Sequence, residues 1–303
     1  MVRICKGIRK KLVFNMFCKL VRLLCFLFIG VVESAEKTAA PTILYSRQSP
    51  LGLIEVITTS EPEVLSICEN KDYDVMQSTF KQGDPTYLGL LYEPLVTISF
   101  CFTKKLNKVL LLGLGAGDFL GYLMNYFPTA QVDAVEINPA MIDIVKQFRE
   151  MDIKNLANYH CRDGFEYVDE IKGHYDLIFC DMYLEKPSIA EKYTNLFKKL
   201  KNCLKEGGVF IFNAYIPLVP RAVVKDIFEN FENIAAAMTD DEGNIVLICY
   251  QGPAKTKENF EKIAGDMQDK YGFHYALPDV LQKFEFIPPA NHETWITKFP
   301  VLS

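Results

Sequence analysis

Short apolar runs alternate with helix-like segments between residues 108 and 250, and this alternation constrains the fold more than any other feature of the sequence. The apolar runs cover residues 109–112, 132–137, 175–180, 209–212 and 245–250. The helix-like segments between and around them cover 118–126, 139–149, 164–172, 189–204 and 218–230. Continuous apolar runs are typical of strands buried on both faces. Their alternation with helices predicts a parallel α/β sheet.

Further strand patterns lie at both ends of this region. Apolar residues 234–238 and 245–250 are separated by a short polar turn, which predicts an antiparallel hairpin. Ahead of the alternating region, three strand-like runs predict a small antiparallel sheet. They cover residues 43–45, 51–57 and 64–68. Leucines and an isoleucine at helical spacing predict a helix over 86–101 that connects this sheet to the rest.

The first 34 residues differ in composition from the rest of the chain. Residues 1–22 carry seven basic side chains and no acid, and an apolar run follows at 23–32. This order is typical of a secretory signal, with Val32 and Ser34 at positions −3 and −1 of the cut. The run is shorter than the roughly 20 apolar residues of a membrane span. We expect an exported protein; the alternatives are an anchor or amphipathic arm that engages a membrane, and a cytoplasmic protein if the segment is not used.

We therefore expect three segments, which are a signal-like segment at 1–34, a β-domain with its connecting helix at 35–101, and an α/β domain at 102–303. The net charge is −5 although the first 22 residues are basic, so the remainder is distinctly acidic. This balance argues against a dedicated nucleic-acid-binding protein and suits a small cationic substrate. The nine cysteines show no C-x-x-C spacing and the four histidines are dispersed, so the sequence indicates neither a disulfide framework nor a metal site.

A glycine-rich turn follows the first buried strand of the α/β region. Gly113, Gly115 and Gly117 lie in the sequence Gly-Leu-Gly-Ala-Gly, and a helix follows. Glycine at such a turn lets the backbone approach a ligand closely, and the helix N-terminus supplies unpaired N–H groups. Glu136 ends the next strand, where a carboxylate binds the two ribose hydroxyls of an adenosine-type cofactor. The alternative for Glu136 is a solvated acid at a strand end.

Two more carboxylates end the third and fourth strands. Asp163 and Gly164 follow a short strand, and Asp163 either accepts a hydrogen bond from an adenine amino group or caps the next helix. Asp181 ends an apolar strand, at the edge where ligands bind in open α/β sheets. A carboxylate there binds a cationic substrate, acts as a general base on an amine, or only orients a loop. Because the third and fourth strands both end in acids, the spacing matches an S-adenosylmethionine-type domain better than an NAD-type domain.

Together these motifs resemble the spermidine synthase family, the polyamine aminopropyltransferases. In the α/β region the resemblance rests on residues 113–117, 135–138, 162–165 and 176–181. In the N-terminal region, residues 49–56 resemble the family's opening hairpin, and 76–78 with 83–87 resemble its glutamine strand and the acid-rich turn after it. The small β-domain discriminates between families, since ordinary methyltransferases share only the Rossmann motifs.

The resemblance implies a fold, a group donor and residue roles. The fold would be a small N-terminal antiparallel β-domain packed on a seven-stranded Rossmann-like sheet of the class I methyltransferase type, often as a homodimer. The donor would be decarboxylated S-adenosylmethionine, or S-adenosylmethionine itself, without a metal. Glu136 would bind its ribose, Asp163 its adenine and Gln77 its amine tail. Asp181 would bind the attacking amine and act as general base, and the partner would be a small cationic amine and no nucleic acid.

Three positions differ from the family pattern. Ala116 stands where an acid usually holds the donor's amine, Leu184 stands where a second acid follows Asp181, and the nearest match to a Tyr-His-Glu motif begins at Tyr87. The first expectation is an aminopropyltransferase that uses Asp181. The second is a methyltransferase, because a donor that keeps its carboxylate is tolerated better beside Ala116 than beside an acid. The third is a non-catalytic exported binding protein that retains the fold.

Overall fold

Two β-sheets organise the part of the chain that the structure describes. The structure is a computed structural model, and it describes residues 41–73, 76–149, 157–171, 173–182, 193, 195–241 and 243–299. The described residues from Thr42 onward belong to a single compact unit. Within its described residues, this unit contains one four-stranded sheet and one eight-stranded sheet.

The smaller sheet is antiparallel, and its strands follow one another in chain order. They are β1 (Ile43–Ser49), β2 (Gly52–Thr58), β3 (Val64–Glu69) and β4 (Met76–Lys81). Apolar side chains give the sheet one buried face, since successive side chains of a strand point to opposite faces. That face packs against Ala116 of the glycine-rich turn and against Ala140 and Ile144. The small sheet therefore lies directly beside the predicted site.

The larger sheet carries the strand–helix alternation that the sequence predicts. Its strands are β5 (Lys108–Leu112), β6 (Gln131–Glu136), β7 (Asn158–Cys161), β8 (Tyr175–Cys180), β9 (Leu204–Tyr215), β10 (Asn233–Met238), β11 (Asn244–Tyr250) and β12 (Glu285–Ile287). Their order across the sheet is β12-β10-β11-β9-β8-β5-β6-β7. β5 to β9 pair in parallel, so their carboxyl ends lie along one edge of the sheet. β11 pairs antiparallel with β9 and β10.

This topology confirms the predicted α/β fold, with a small antiparallel sheet at the N-terminal side and the hairpin of β10 and β11 near the end. One strand was not predicted from the sequence. β12 pairs antiparallel with β10 and extends the sheet from seven strands to eight. It has only three residues, which is too short for an alternating pattern to be recognised.

Helices cover both faces of the larger sheet. They are α1 (Glu93–Val96), α2 (Asp118–Tyr126), α3 (Pro139–Ile144), α4 (Gly164–Glu170), α5 (Leu196–Asn202), α6 (Arg221–Asn230), α7 (Lys257–Tyr271), α8 (Leu277–Gln282) and α9 (His292–Ile296). A 3-10 helix (Thr97–Phe102) continues α1, and a π-helix (Val145–Arg149) continues α3. One apolar cluster packs α2, α7 and α8 on one face, and a second packs α5 and α6 on the other. The central strands are therefore buried on both sides, as predicted.

The connection between the two sheets is less helical than the sequence pattern predicts. Helix formation starts only at Glu93, where a proline occupies the first turn. The preceding residues pack tightly on β4. This is clear at Gly89, where an added Cβ would collide with the carbonyl oxygen of Thr79. The Tyr275 hydroxyl also holds Leu88, since it accepts from the Leu88 N–H and donates to the Leu88 carbonyl. These tertiary contacts replace the local hydrogen bonds of a longer helix.

Some predictions concern segments or assemblies beyond this description. The signal-like segment at 1–34 lies outside the described residues, and so does Leu184. Within the described residues, no helix is long and apolar enough to cross a membrane. Export, the homodimer and the division into domains at 101/102 stay predictions.

Candidate functional site

The glycine-rich turn connects the end of β5 to the start of α2 at the carboxyl edge of the larger sheet. Gly113, Gly115 and Gly117 have φ values of +91°, +54° and +73°, a left-handed region that glycine adopts without strain. A Cβ at Gly113 would lie 2.5 Å from the carbonyl oxygen of Asp181. Glycine therefore lets the chain after β5 approach the chain after β8, which brings the turn next to Asp181.

Glu136 ends β6, and its carboxylate lies against the glycine-rich turn. Its Oε2 accepts a hydrogen bond from the Leu114 N–H at 3.0 Å, and its Oε1 accepts one from the Asn138 N–H at 2.8 Å. Burial raises the pKa of Glu136, and these backbone donors offset part of the rise. Backbone hydrogen bonds from Ile137 and Gly115 lower that pKa as well, so the main chain orients the carboxylate at the turn, where it could accept from ligand hydroxyls.

Asp163 follows β7 and caps α4. Its Oδ1 accepts a hydrogen bond from the Phe165 N–H at 2.8 Å, which satisfies one of the unpaired donors of the helix. The structure thus shows that Asp163 caps α4, and a hydrogen bond between Asp163 and adenine stays a prediction. Gly164 lies so close to Met182 that a Cβ would collide with the thioether sulfur. Glycine at 164 therefore lets the start of α4 approach the residues that follow β8.

Two side chains hold the carboxylate of Asp181. The Tyr92 hydroxyl donates a hydrogen bond to Oδ2 at 2.7 Å, and Asn213 Nδ2 donates one to Oδ1 at 2.7 Å. Burial raises the pKa of Asp181, while the bonds from Asn213 and Tyr92 act in the opposite direction. Burial and the charge of Asp181 raise the pKa of Tyr92 well above its ordinary value, so the Tyr92 hydroxyl keeps its proton and remains a donor.

A small cavity opens beside Asp181 where β8, β9 and β11 meet. Its lining residues are Asp181, Met182, Phe212, Asn213, Ala214, Tyr215, Leu218, Val219 and Asn244. Asn244 Nδ2 donates a hydrogen bond to Asn213 Oδ1 at 3.1 Å. The side chains of Asp181, Asn213 and Asn244 are therefore joined by consecutive hydrogen bonds along the cavity wall. The cavity combines one carboxylate, two amides and a mostly apolar surface. This composition is common for sites that bind small organic ligands.

Ser78, Asp118 and Arg149 form a buried polar group next to the glycine-rich turn. Ser78 Oγ donates to Asp118 Oδ2 and accepts from the Ala116 N–H at 3.2 Å. Arg149 Nη2 lies 3.4 Å from Asp118 Oδ1. Burial raises the pKa of Asp118, and the Arg149 guanidinium opposes that rise. Asp118 is only 2% exposed, and its carboxylate contacts Ser78 and Arg149 inside the protein.

Gln77 precedes Ser78 on β4 and is half-buried. Because Ser78 contacts the glycine-rich turn, Gln77 lies on the strand that packs against the turn. The structure therefore places Gln77 on the neighbouring small sheet, and it gathers the glycines, Glu136, Asp163 with Gly164, and Asp181 at one edge of the larger sheet. Their individual roles stay predictions.

Tyr92 and Asn213 were not predicted from the sequence as residues of the site. The motif comparison pointed to Tyr87, whereas the tyrosine that contacts Asp181 is Tyr92. The sequence did contain a local indication of Tyr92, which directly precedes an acid, Glu93, at the start of a helix. Asn213 also had a signal, since it is a polar residue in the otherwise apolar second half of β9.

The residues at this edge fit an adenosine-type ligand. At Gly115 an added Cβ would meet only Ser78, at 3.5 Å or more, so the turn leaves its surface open for close approach. The N-terminus of α2 supplies unpaired N–H groups, and Glu136 presents two oriented oxygens. The described residues contain no group of His, Cys, Asp and Glu side chains that could hold a metal ion.

Comparison with known proteins places this arrangement in a family. The model of the spermine/spermidine synthase domain matches residues 90–242, a range that contains the glycine-rich turn, Glu136, Asp163 and Asp181. The chain belongs to the spermine/spermidine synthase family. Membership confirms the resemblance predicted from the motifs. It also supports the prediction of an enzyme of the polyamine aminopropyltransferase kind.

Individual known proteins match the chain to different extents. The polyamine aminopropyltransferase of Neisseria meningitidis serogroup A is 25% identical over 245 residues, which cover 76% of this chain and 90% of that protein. The eEF1A lysine and N-terminal methyltransferase of Mus musculus is 27% identical over 179 residues, which cover 55% of this chain and 25% of that protein. This chain therefore spans about a quarter of the mouse protein.

A solved structure shows the same fold. The crystal structure of a probable spermidine synthase from Corynebacterium glutamicum has a TM-score of 0.63 to this chain, at 15% sequence identity. The match covers 88% of this chain and 96% of that chain. The small N-terminal sheet and the larger Rossmann-like sheet of this protein therefore agree with the architecture of a spermidine synthase-like protein.

Proposed function

We propose that the protein transfers an aminopropyl group from decarboxylated S-adenosylmethionine to an amine, and that Asp181 binds the amine and accepts its proton. The observation that carries this proposal is the carboxylate of Asp181, which Tyr92 and Asn213 hold beside both the glycine-rich turn and the cavity. Relatives named polyamine aminopropyltransferases support the reaction type.

The amine must lose a proton before it can attack. A primary amine has a pKa of about 10, so most of it is protonated near neutral pH. The carboxylate of Asp181 attracts this cation and receives a proton from it. The raised pKa of Asp181 makes that proton transfer less unfavourable than it would be to an exposed aspartate.

The transfer itself is a displacement at carbon. The neutral amine nitrogen attacks the propyl carbon that is bonded to the sulfonium sulfur of the donor. A C–N bond forms, the C–S bond breaks, and its electron pair goes to sulfur and leaves a neutral thioether. Because the two reactants are held side by side at one sheet edge, their orientation contributes much of the rate.

The donor side of the proposal uses residues that lie around the glycine-rich turn. Glu136 would accept hydrogen bonds from the ribose hydroxyls, since both of its oxygens are already oriented by backbone donors. Asp163 would accept from the adenine amino group, and Gln77 would face the amine tail. Gly113, Gly115 and Gly117 belong to the same proposal, because their turn lets the backbone approach the donor.

Methyl transfer from S-adenosylmethionine is the second candidate, and the surroundings of Ala116 favour it. Ala116 is fully buried among apolar side chains, and Asp118 is bonded to Ser78 and Arg149. Residues 113–117 therefore carry no carboxylate of their own that would repel the carboxylate of S-adenosylmethionine at the turn. A relative named a methyltransferase supports this candidate.

Donor preference separates the two functions. We would titrate the full chain calorimetrically with decarboxylated S-adenosylmethionine, S-adenosylmethionine and methylthioadenosine, and then identify amine products by mass spectrometry. Aminopropyl transfer predicts tighter binding of the decarboxylated donor and a product enlarged by an aminopropyl group. Tighter binding of S-adenosylmethionine with a methylated product would replace the first candidate by the second. Binding of none of the three would refute both.

The role of Asp181 has its own test. Asp181→Asn keeps the size of the side chain but removes the charge and the proton acceptor, so we expect transfer to fall by about 100-fold or more while the donor Kd changes little. Asp169→Asn is the matched control, because Asp169 is an exposed carboxylate that pairs with Lys199. Full aminopropyl transfer by Asp181→Asn would contradict the proposed role.

A further inference from the structure

A third buried carboxylate, that of Glu93, interacts with both sides of the proposed site. Glu93 directly follows Tyr92 at the start of α1 and is only 5% exposed. Its Oε2 accepts a hydrogen bond from the Leu90 N–H at 2.9 Å, which orients the side chain. The charge of Asp118, which follows the glycine-rich turn, and the charge of Asp181 both act on it. Glu93 is therefore within electrostatic reach of the donor side and of the acceptor side.

The surroundings of Glu93 favour its protonated form. Burial raises the pKa of Glu93 well above its ordinary value, because an ionised carboxylate is poorly solvated in the interior. The negative charges of Asp118 and Asp181 raise this pKa further. The Leu90 N–H and the Arg149 guanidinium oppose the rise. Positive charge that a ligand brings to this cluster would therefore favour loss of the proton from Glu93.

The groups that act on Glu93 within the described residues come from several elements of the fold. Asp118 lies on α2, Asp181 follows β8, and Arg149 lies on the π-helix. The titratable groups besides these three are the hydroxyls of Tyr87, Tyr92 and Tyr275. Burial raises the pKa of all three tyrosines, so they stay neutral where a carboxylate titrates. The carboxylates and Arg149 thus set the charge of this group of residues.

The decarboxylated donor would bring positive charge to these carboxylates. In the proposed reaction its propyl group extends from a sulfonium sulfur beside the glycine-rich turn toward the amine at Asp181. The far end of that group is an amine with a pKa of about 10, which is mostly protonated near neutral pH. S-adenosylmethionine has the same sulfonium and ammonium but also a carboxylate on its tail. The two donors therefore differ by one negative charge in the region on which Glu93 acts.

We infer that Glu93 is a specificity-determining residue, which loses its proton when the donor binds and whose carboxylate then favours the decarboxylated donor over S-adenosylmethionine. This inference rests on the proposed function, because it explains the choice of donor at the same site. The O–H bond of Glu93 breaks, its electron pair stays on oxygen, and the proton goes to the solvent. Ionised Glu93 attracts the ammonium and repels a tail carboxylate, and such interactions are strong in a buried site.

Proton release measured by calorimetry tests this inference on the full chain. The protein is titrated with decarboxylated S-adenosylmethionine, S-adenosylmethionine and methylthioadenosine in buffers that differ in ionisation enthalpy, which gives the number of protons released. Methylthioadenosine has neither the sulfonium nor the ammonium. We expect the decarboxylated donor to release about half a proton more per site, or a larger excess, than methylthioadenosine does.

Glu93→Gln removes the proton and the charge while keeping the size of the side chain and an acceptor for the Leu90 N–H. In this variant the excess proton release should fall by about half or more. The ratio of the S-adenosylmethionine Kd to the decarboxylated-donor Kd should fall at least about tenfold. Glu232→Gln, a change at an exposed glutamate, is the matched control and should retain both values. Thermal unfolding and the methylthioadenosine Kd check that Glu93→Gln is folded.

The unmodified protein provides a second readout that needs no variant. Because binding releases a proton, the decarboxylated-donor Kd should fall relative to the methylthioadenosine Kd as pH rises between about 6 and about 8. A ratio that does not change with pH, or a donor preference that Glu93→Gln retains in full, would overturn the inference and leave the proposed function standing. Tighter binding of S-adenosylmethionine by the unmodified protein, or binding of none of the three ligands, would overturn both.

Discussion

The hydroxyl of Tyr92 donates a 2.7 Å hydrogen bond to Oδ2 of Asp181, across 89 positions of the chain. Tyr92 immediately precedes the helix that leads from the small sheet to the larger one, and Asp181 ends a central strand of the larger sheet. This bond therefore ties the segment between the sheets to the proposed acceptor site. It also makes the protonation of Asp181 depend on a residue outside the parallel sheet.

Tyr92→Phe should move the pH dependence of the reaction. Loss of this hydrogen bond removes one of the two interactions that lower the pKa of Asp181, so that pKa rises further. Because the proposed reaction needs the ionised carboxylate, the acid limb of kcat/KM against pH should move to higher pH, so kcat/KM should fall most on the acid side of the profile.

Tyr271→Phe is the matched control for that experiment. Tyr271 packs its ring against Phe127 and Phe273 in the C-terminal part of the chain, so the acid limb should not move. A Tyr92→Phe profile that coincides with that of the unmodified protein would show that Tyr92 does not tune Asp181.

Glu136→Gln should weaken donor binding. Both oxygens of Glu136 accept backbone N–H groups, and an amide must turn its NH2 toward one of these donors. We expect the donor Kd measured by calorimetry to rise at least about tenfold, since a charged acceptor and its orientation are both lost. Glu166→Gln, an exposed glutamate on α4, should leave Kd unchanged. An unchanged Kd for Glu136→Gln would remove the ribose role.

Gly113→Ala should destabilise the protein. The position has φ of +91°, and its Cβ would lie 2.5 Å from the carbonyl oxygen of Asp181. We expect the free energy of unfolding, measured by denaturant titration, to fall by about 2–4 kcal/mol.

Gly265→Ala provides a comparison with the opposite sign. Apart from its chain neighbours and the backbone of its own helix, no atom of the described residues lies within 4 Å of a Cβ at this glycine of α7. Since alanine favours a helix over glycine, this variant should be about 0.5–1 kcal/mol more stable. Equal effects of the two substitutions would contradict the tight approach at Gly113.

Arg149→Met should leave Asp118 buried without its counter-charge. Arg149 Nη2 lies 3.4 Å from Asp118 Oδ1, and both side chains are almost fully buried. We expect a loss of about 3–5 kcal/mol in the free energy of unfolding at neutral pH.

The loss of unfolding free energy caused by Arg149→Met should become smaller as the pH is lowered. Burial already raises the pKa of Asp118, and removal of Arg149 raises it further, so the folded state binds a proton that the unfolded state has lost. Stability of the variant therefore falls as pH rises from the unfolded pKa toward the folded one. Denaturant titrations at several pH values between about 5 and about 8 test this direction. Lys225→Met, which breaks an exposed pair with Glu229, should show little loss at any pH.

Much of the fold was readable from local patterns. The continuous apolar runs marked the buried strands β5, β9 and β11, because burial on both faces demands apolar side chains at successive positions. The connecting helix was predicted to be longer than it is, and β12 was not predicted. Helical spacing at 86–92 was overridden by the packing of Gly89 on Thr79, and three residues of β12 hold too little pattern.

The alternation of strands and helices between residues 108 and 250, the glycine-rich turn, and the acids that end β6 and β8 could be predicted from local sequence, because each depends on neighbouring residues. The hydrogen bonds from Tyr92 and Asn213 to Asp181 could be seen only in the folded protein, because these partners come from distant parts of the chain. The tertiary structure also decided that Asp118 is bonded inside the protein, since burial and long-range pairing follow from packing between the two sheets.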